Sequence, residues 1–290
     1  MNVLQTLLLG VVLGGVYALM ASGLTLVYGV MRIINLAHGA LLIASAYAAF
    51  FLNKHLGLDP IASMVVTVPG MFLAGVLLYR LLFTRLEGDD RYSERTVLLT
   101  FGLALVIEGL LGYFLSGIFR STNPSYGVGR VEIGELFIPR GQLYAAIVSV
   151  ALLTILAAFL TRTRTGHAIT ALSQNRRAAQ TVGVNVLRVS SIAFGVGMAL
   201  AGAAGSLMSY LYTFYPGQHW QWIALLMSLI VLGGMGSIKG AVVAAVLLAV
   251  AAAFVSSHFG AVWTPMTFYL ALFAILMVRP QGLFGVKETI

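Results

Sequence analysis

The sequence predicts an all-α, polytopic membrane bundle of about eight to ten transmembrane helices, and three observations carry that prediction. Charged residues make up 9% of the chain and hydrophobic residues 60%, whereas a soluble domain carries about 25% charged residues. Apolar runs recur along the chain, each of roughly 20 residues, the length that crosses a hydrocarbon core of about 30 Å. Runs such as "AAIVSVALLTILAAFL" at 145–160 are continuous, whereas the strands of a membrane barrel alternate apolar and polar residues.

The runs fall at 4–29, 33–52, 61–83, 97–119, 142–161, 189–211, 220–238, 240–258 and 262–278. No basic region precedes the first, so it reads as a retained span and not as a cleaved signal. Gly29, Arg32, Asn35 and His38 interrupt the boundary between the first two runs, and "GGMGSIKG" at 233–240 separates the seventh from the eighth. Each break reads either as a loop or as a discontinuous, re-entrant helix. The loop at 120–141 contains prolines, glycines and two glutamates but is too short for a domain of its own. One transmembrane domain, 1–290, is therefore expected.

Orientation follows from the basic residues, which concentrate on the cytoplasmic side. With the loop 162–188 inside and the runs alternating, the inside receives Arg32, Arg80, Arg85, Arg91, Arg95, Arg162, Arg164, Arg176, Arg177, Arg188, Lys239, Arg279 and Lys287. The outside receives Lys54, Arg120, Arg130 and Arg140. Nine spans then put the N-terminus outside and the C-terminus inside. The same bias accounts for the net charge of +8, so nucleic acid is not an expected partner; membrane lipid is.

Much chemistry is excluded. The chain has no cysteine, hence no disulfide and no thiolate metal site. It has no Walker A sequence, no nucleotide-binding glycine fingerprint and no H-E-x-x-H. Its five histidines, at 38, 55, 167, 219 and 258, lack metal-ligand spacing. Neither a catalytic residue nor a bound metal is expected, and any energy used comes from a partner or an ion gradient.

One long polar interruption remains, "RTRTGHAITALSQNRRAAQTVGVN" at 162–185. Residues 166–182 are rich in alanine, glutamine and arginine, which favours a helix, bracketed by Gly166 and Gly183. Arg176 and Arg177 keep it out of the bilayer. Its apolar face, Ala168, Ala171, Leu172, Ala178, Ala179 and Val182, is narrow and mostly small-sided. That pattern admits an ordinary solvated loop, a helix that docks in a protein groove, or a helix at the lipid headgroups.

The pattern Gly166–x4–Ala171–x3–Asn175–x2–Ala178–Ala179–x3–Gly183–Val184–Asn185 resembles the cytoplasmic loop of branched-chain amino-acid permeases, membrane subunits of ABC importers. The segments "GLTLVYGVMRIINLAHGALL" (23–42), "GGMGSIKGAVVAAVLL" (233–248) and "VRPQGLFG" (278–285) resemble the same family, in order. The first is more similar to the smaller, leucine/isoleucine/valine-type permease than to its longer companion. The resemblance implies that Gly166, Ala171, Asn175, Ala178, Ala179, Gly183 and Asn185 form a coupling helix seated in a cytoplasmic ATPase. It further implies a second homologous permease, an extracytoplasmic solute-binding protein and a place in the bacterial inner membrane. ATP and Mg would be bound by the partner subunits, with no cofactor in this chain. Family members commonly carry a basic residue after the first glycine; here it is His167.

Polar groups inside spans are costly and mark candidate pathways. The candidates are Thr25, Tyr28, Asn35, His38 and Glu108. Asn35 and His38 are three apart and share a face if that segment is helical. Alternatively they satisfy broken-helix backbone, and Glu108 bonds a neighbouring span. The glycine-rich breaks at 29–39 and 233–240 also resemble one another faintly, each placing a methionine and a basic residue before an apolar run. The expected function is an importer permease for branched-chain amino acids. The same architecture also suits urea, amides or other small solutes, a proton-coupled carrier would use Glu108 and His38, and a scaffold would use 162–188 alone.

Overall fold

The computed structural model describes residues 2–86 and 91–285; Lys287, counted above among the inside residues, lies outside them. Among the described residues it contains eleven α-helices: α1 Val3–Met31, α2 Ala37–Leu56, α3 Met64–Leu78, α4 Tyr92–Leu115, α5 Arg140–Arg162, α6 Arg164–Gln174, α7 Arg176–Thr181, α8 Val186–Leu211, α9 His219–Gly233, α10 Ile238–Phe259 and α11 Thr264–Val278. Seven are long and apolar enough to cross a membrane, with α3 prolonged by a π-helical turn to Phe83 and α11 preceded by a short 3-10 turn. The remaining two expected spans are α2, which carries Asn53, Lys54 and His55 in its last turn, and α9, which has only 15 residues.

Helices α1 and α8 form the centre, with 67% and 72% of their apolar windows buried, against 11% for α4 and 6% for α11 at the periphery. Glycine permits that density. A methyl group built at Gly10 or Gly14 would lie 2.6 or 2.8 Å from the Cα of Val250 or Val246, so α1 and α10 meet almost backbone to backbone along a small-xxx-small seam. Gly23 and Gly197 bring α1 against α8 in the same way. Between hydroxyl-bearing helices the contact is polar: Ser45 Oγ donates to the Gly202 carbonyl (2.8 Å), and Thr67 and Ser206 hydroxyls bond at 2.8 Å. In a medium without water such bonds fix helix register.

The loops gather at two ends. One end, the hairpin end, holds a two-stranded antiparallel sheet, β1 Arg130–Ile133 and β2 Leu136–Pro139, which the all-α expectation did not include. Gly134, at φ 64°, turns the hairpin. Gln5 ties it to the start of α1 by donating to the Phe137 carbonyl (2.6 Å) and accepting from the Phe137 N–H (2.9 Å). The other end, the basic end, holds both glycine breaks, α6, α7 and the C-terminal segment 279–285.

Candidate functional site

At the basic end both breaks are genuine interruptions. Arg32 adopts a left-handed conformation (φ 56°) and stops α1, while its N–H still reaches the Tyr28 carbonyl (2.7 Å). The chain then runs without helix to α2. Its exposed backbone is served from α4: Thr100 Oγ1 donates to the Ile34 carbonyl and accepts from the Leu36 N–H, both at 3.2 Å. The second break turns through Gly234 and Gly236 (φ 98° and 87°), a region closed to residues with a side chain except under strain. Ser237 then caps α10 by accepting from the Gly240 N–H (3.1 Å).

These breaks touch: a methyl group at Gly29 would lie 3.2 Å from the Gly236 carbonyl oxygen. The C-terminal segment closes the cluster. Leu283 and Phe284 donate their N–H groups to the Leu232 and Gly233 carbonyls (2.8 and 3.1 Å), satisfying two of the orphan acceptors at the end of α9. Segments 23–42, 233–248 and 278–285, far apart in sequence, thus build one seat. Helix α6 lies on it across a cavity of about 200 Å³, lined by Gly29, Val30 and Gly236 on one side and Ile169, Thr170 and Ser173 on the other.

The helix expected over 166–182 is two helices. Asn175 leaves helical geometry (φ −151°, ψ 106°), and its side chain accepts from the Ala178 N–H (3.0 Å), capping α7. Asparagine competes with helical backbone bonding in this way and favours caps. Gly166 is not the start either; Thr163 caps α6, accepting from the Gly166 N–H at 2.9 Å. Gly166 is instead buried where a methyl group would strike the Phe159 carbonyl and Leu160, so it sets the elbow between α5 and α6. Gly183, at φ 86°, follows α7, and Asn185 caps α8 by accepting from the Arg188 N–H (3.0 Å).

The apolar face is also used differently. Ile169, Leu172 and Ala179 are buried on the bundle, at 1%, 3% and 3% exposure, and Ala171 is half-buried. The face turned away from the bundle carries Asn175, Ala178 and Asn185, all exposed, with Val182 at 79% exposure. Val182 belongs with this surface. An exposed aliphatic residue at the end of a polar helix was the signal for it.

The five polar candidates do not form one cluster. Thr25 donates to its own helix at Ala21 (2.8 Å). Tyr28 flanks the Gly29–Gly236 contact. Asn35 lies in the break and not on a helix, so it shares no helical face with His38; its side-chain oxygen accepts from the Ala37 N–H (3.1 Å) at the start of α2. His38 is fully buried and packs against Gly23. Glu108 lies elsewhere, accepting from His219 Nε2 and Trp220 Nε1 (both 3.1 Å) at the start of α9. His219 and Trp220, more than a hundred positions away, carried no local signal of this pairing.

Comparison with known proteins bears on the whole chain. A family profile described as "Branched-chain amino acid transport system / permease component" matches residues 6–278. The high-affinity branched-chain amino acid transport system permease protein LivH of Salmonella typhimurium is 28% identical over 98% of this chain and 96% of its own length. BraD of Pseudomonas aeruginosa, a permease protein of the same description, shows the same identity and coverage. LivM of Escherichia coli, also so described, is 25% identical over 92% of this chain and 67% of its own length. The fuller coverage of LivH agrees with the likeness of segment 23–42 to the smaller permease type. With a match running from residue 6 to residue 278, this multi-pass membrane chain belongs to the family of branched-chain amino acid transport system permease components.

Proposed function

We propose that this chain is the translocating subunit of an ATP-driven importer for branched-chain amino acids in a bacterial inner membrane. The basic end faces the cytoplasm and the hairpin end the exterior, as the basic-residue bias requires. Of two ATP-binding subunits, which hold the ATP and Mg, one docks on α6 and α7. A second, homologous permease completes the pathway, and an external solute-binding protein delivers the cargo to the hairpin end. This chain supplies no catalytic group, cofactor or metal ligand; its part is mechanical. The names and full-length coverage of LivH and BraD support the cargo.

One observation carries the mechanical part: α6 is anchored to the bundle by Ile169 and Leu172 and rests on the contact between the two glycine breaks. A push on the exposed Ala178 and Val182 therefore reaches the ends of α1, α9 and α10 through packed atoms. Backbone-to-backbone contact at glycine lets these ends shift without repacking side chains.

Ala178→Glu tests the reading, because Ala178 is exposed and the change leaves the bundle intact. The expected result is loss of co-purifying ATPase subunits and of ATP-dependent leucine uptake. Uptake that survives, and that collapses with the proton gradient or in Glu108→Gln, identifies a carrier. Uptake of urea or amides with none of leucine retains the importer and changes its cargo.

A further inference from the structure

Among the described residues, Glu108 is the one acid placed deep in a span. It stands seven residues before Leu115, the last residue of α4 at the hairpin end, which is about 10 Å along a helix. Its side chain is nonetheless 31% exposed. It cannot reach for the membrane surface, because Oε2 bonds both His219 Nε2 and Trp220 Nε1 at the head of α9 and is pinned at that depth. Oε1 accepts no hydrogen bond among the described residues. Gln221, next to Trp220, is exposed as well. A carboxylate and an amide thus stand open at membrane depth.

Glu108 belongs to a stripe. Phe101, Leu105, Glu108 and Gly112 follow one another at intervals of four, three and four, which is one face of a helix, with Gly109 beside it. Phe101 and Leu105 project from it, both exposed. A methyl group built at Gly109 or Gly112 would meet nothing within 4 Å. The stripe therefore offers projecting side chains, an open groove and an acid. The other outward flank of α4, Val106, Leu110 and Tyr113, is bulky and uncharged. The outward positions of α3 and α5 are of that second kind, as at Leu73, Leu77 and Ile155. Where α5 exposes a polar residue, Thr154, its hydroxyl returns to its own helix at the Val150 carbonyl (2.8 Å).

Lipid suits the bulky flank and not the stripe. An ionisable group at membrane depth faces protein or enclosed water, and exposed glycine admits a neighbouring helix to backbone distance. We infer that Phe101, Leu105, Glu108 and Gly112, with Gln221 at the head of α9, form the face on which the second, homologous permease packs. The inference rests on the transport reading above, which supplies that partner. The external binding protein reaches only the hairpin end and the ATPases only the basic end, so neither covers a position inside the bilayer. The second permease lays a helix along Gly109 and Gly112. It meets Glu108 Oε1 with a hydrogen-bond donor, because the stripe holds an acid and no basic side chain.

The test uses the complete transporter in its own membrane. A photoreactive benzophenone side chain is placed at Leu105, on the stripe, or at Val106, on the bulky flank; the two are 47% and 57% exposed. Irradiation should join the Leu105 variant to the second permease and the Val106 variant to lipid. Gly109→Trp fills the groove and should lower the amount of second permease that co-purifies by about tenfold. Gly70→Trp, at an equally open glycine of α3, should leave it unchanged. Joining of the second permease through Val106, or joining of the Leu105 variant to phospholipid alone, overturns the assignment while the transport reading stands. So does undiminished co-purification with Gly109→Trp. An unaltered chain that brings down no second permease overturns the transport reading itself.

Discussion

The two ends of the bundle are held by different kinds of contact. At the basic end, Gly29, Gly233, Gly236 and Gly240 bring backbone directly against backbone, and the C-terminal segment is joined by main-chain bonds from Leu283 and Phe284. At the hairpin end, side chains reach across: Gln5 clasps Phe137, Tyr126 donates to Asp59 (2.9 Å), and Thr122 bonds Ser209 (2.8 Å). Arg120 adds to this by lying over the rings of Phe50 and Phe51 (5.2 and 5.6 Å) while its backbone pairs with Phe214 in both directions. A glycine seat admits sliding but no added atom. A polar clasp tolerates added volume nearby but not the loss of a partner. The end proposed to meet the ATPases is therefore built to shift, and the opposite end to keep its register.

The largest effect should come from Gly240→Leu, whose Cβ falls on the Gly233 carbonyl. Neither atom can move without breaking α9 or α10, so the cost should exceed the roughly 1–3 kcal/mol of ordinary overpacking. Little folded protein should survive size-exclusion chromatography after mild heating. A normal profile would mean the seat has slack, and the contrast between the ends would fail. Next comes Ala179→Glu, which buries an unpaired carboxylate at a position 3% exposed. A loss on the order of 3 kcal/mol is expected, read as a lowered melting temperature that Ala178→Glu does not share.

At the hairpin end, Gln5→Leu removes two hydrogen bonds at a site 3% exposed and should cost about 2 kcal/mol. Faster hydrogen exchange confined to 130–139 would show it; unchanged exchange would remove the clasp from the comparison. The smallest effect is that of Tyr126→Phe, about 1 kcal/mol. Burial, and then the bond to Asp59, raise the Tyr126 phenol above its ordinary value. A raised group contributes its full stability below the unfolded value and loses it as pH rises through the folded one. The gap between Tyr126→Phe and the parent protein should accordingly stay constant across neutral pH and close only in strong alkali.

Several parts of this arrangement are legible in the residues alone. Continuous apolar runs announce the spans, because a helix in lipid must be apolar along its whole length. Gly29 with Asn35, and the glycines of 233–240, announce the breaks, because such residues interrupt otherwise uniform runs. The polar character of 162–185 announces a segment outside the bilayer. Other features left no such trace. Asn175 divides α6 from α7 through a bond to Ala178, and a propensity average over the stretch hides a single cap. Ile169, Leu172 and Ala179 turn inward because α6 and α7 have a bundle to rest on, so the apolar stripe serves the chain's own fold before any partner. Glu108 was conspicuous as an acid in a span, yet its partners His219 and Trp220 lie on another helix.

By itself, then, the sequence determined which segments enter the membrane, where they break and which end carries the positive charge. Each of those depends on the local balance of apolar, charged and helix-breaking residues, summed along one stretch of chain. Tertiary structure decided which break meets which, where α6 and α7 rest, and how Tyr17, Tyr212, Trp222 and Phe268 come together. Those outcomes depend on contacts between residues as far apart in sequence as Tyr17 and Phe268, and a contact energy exists only once both partners have been brought within a few ångströms of each other.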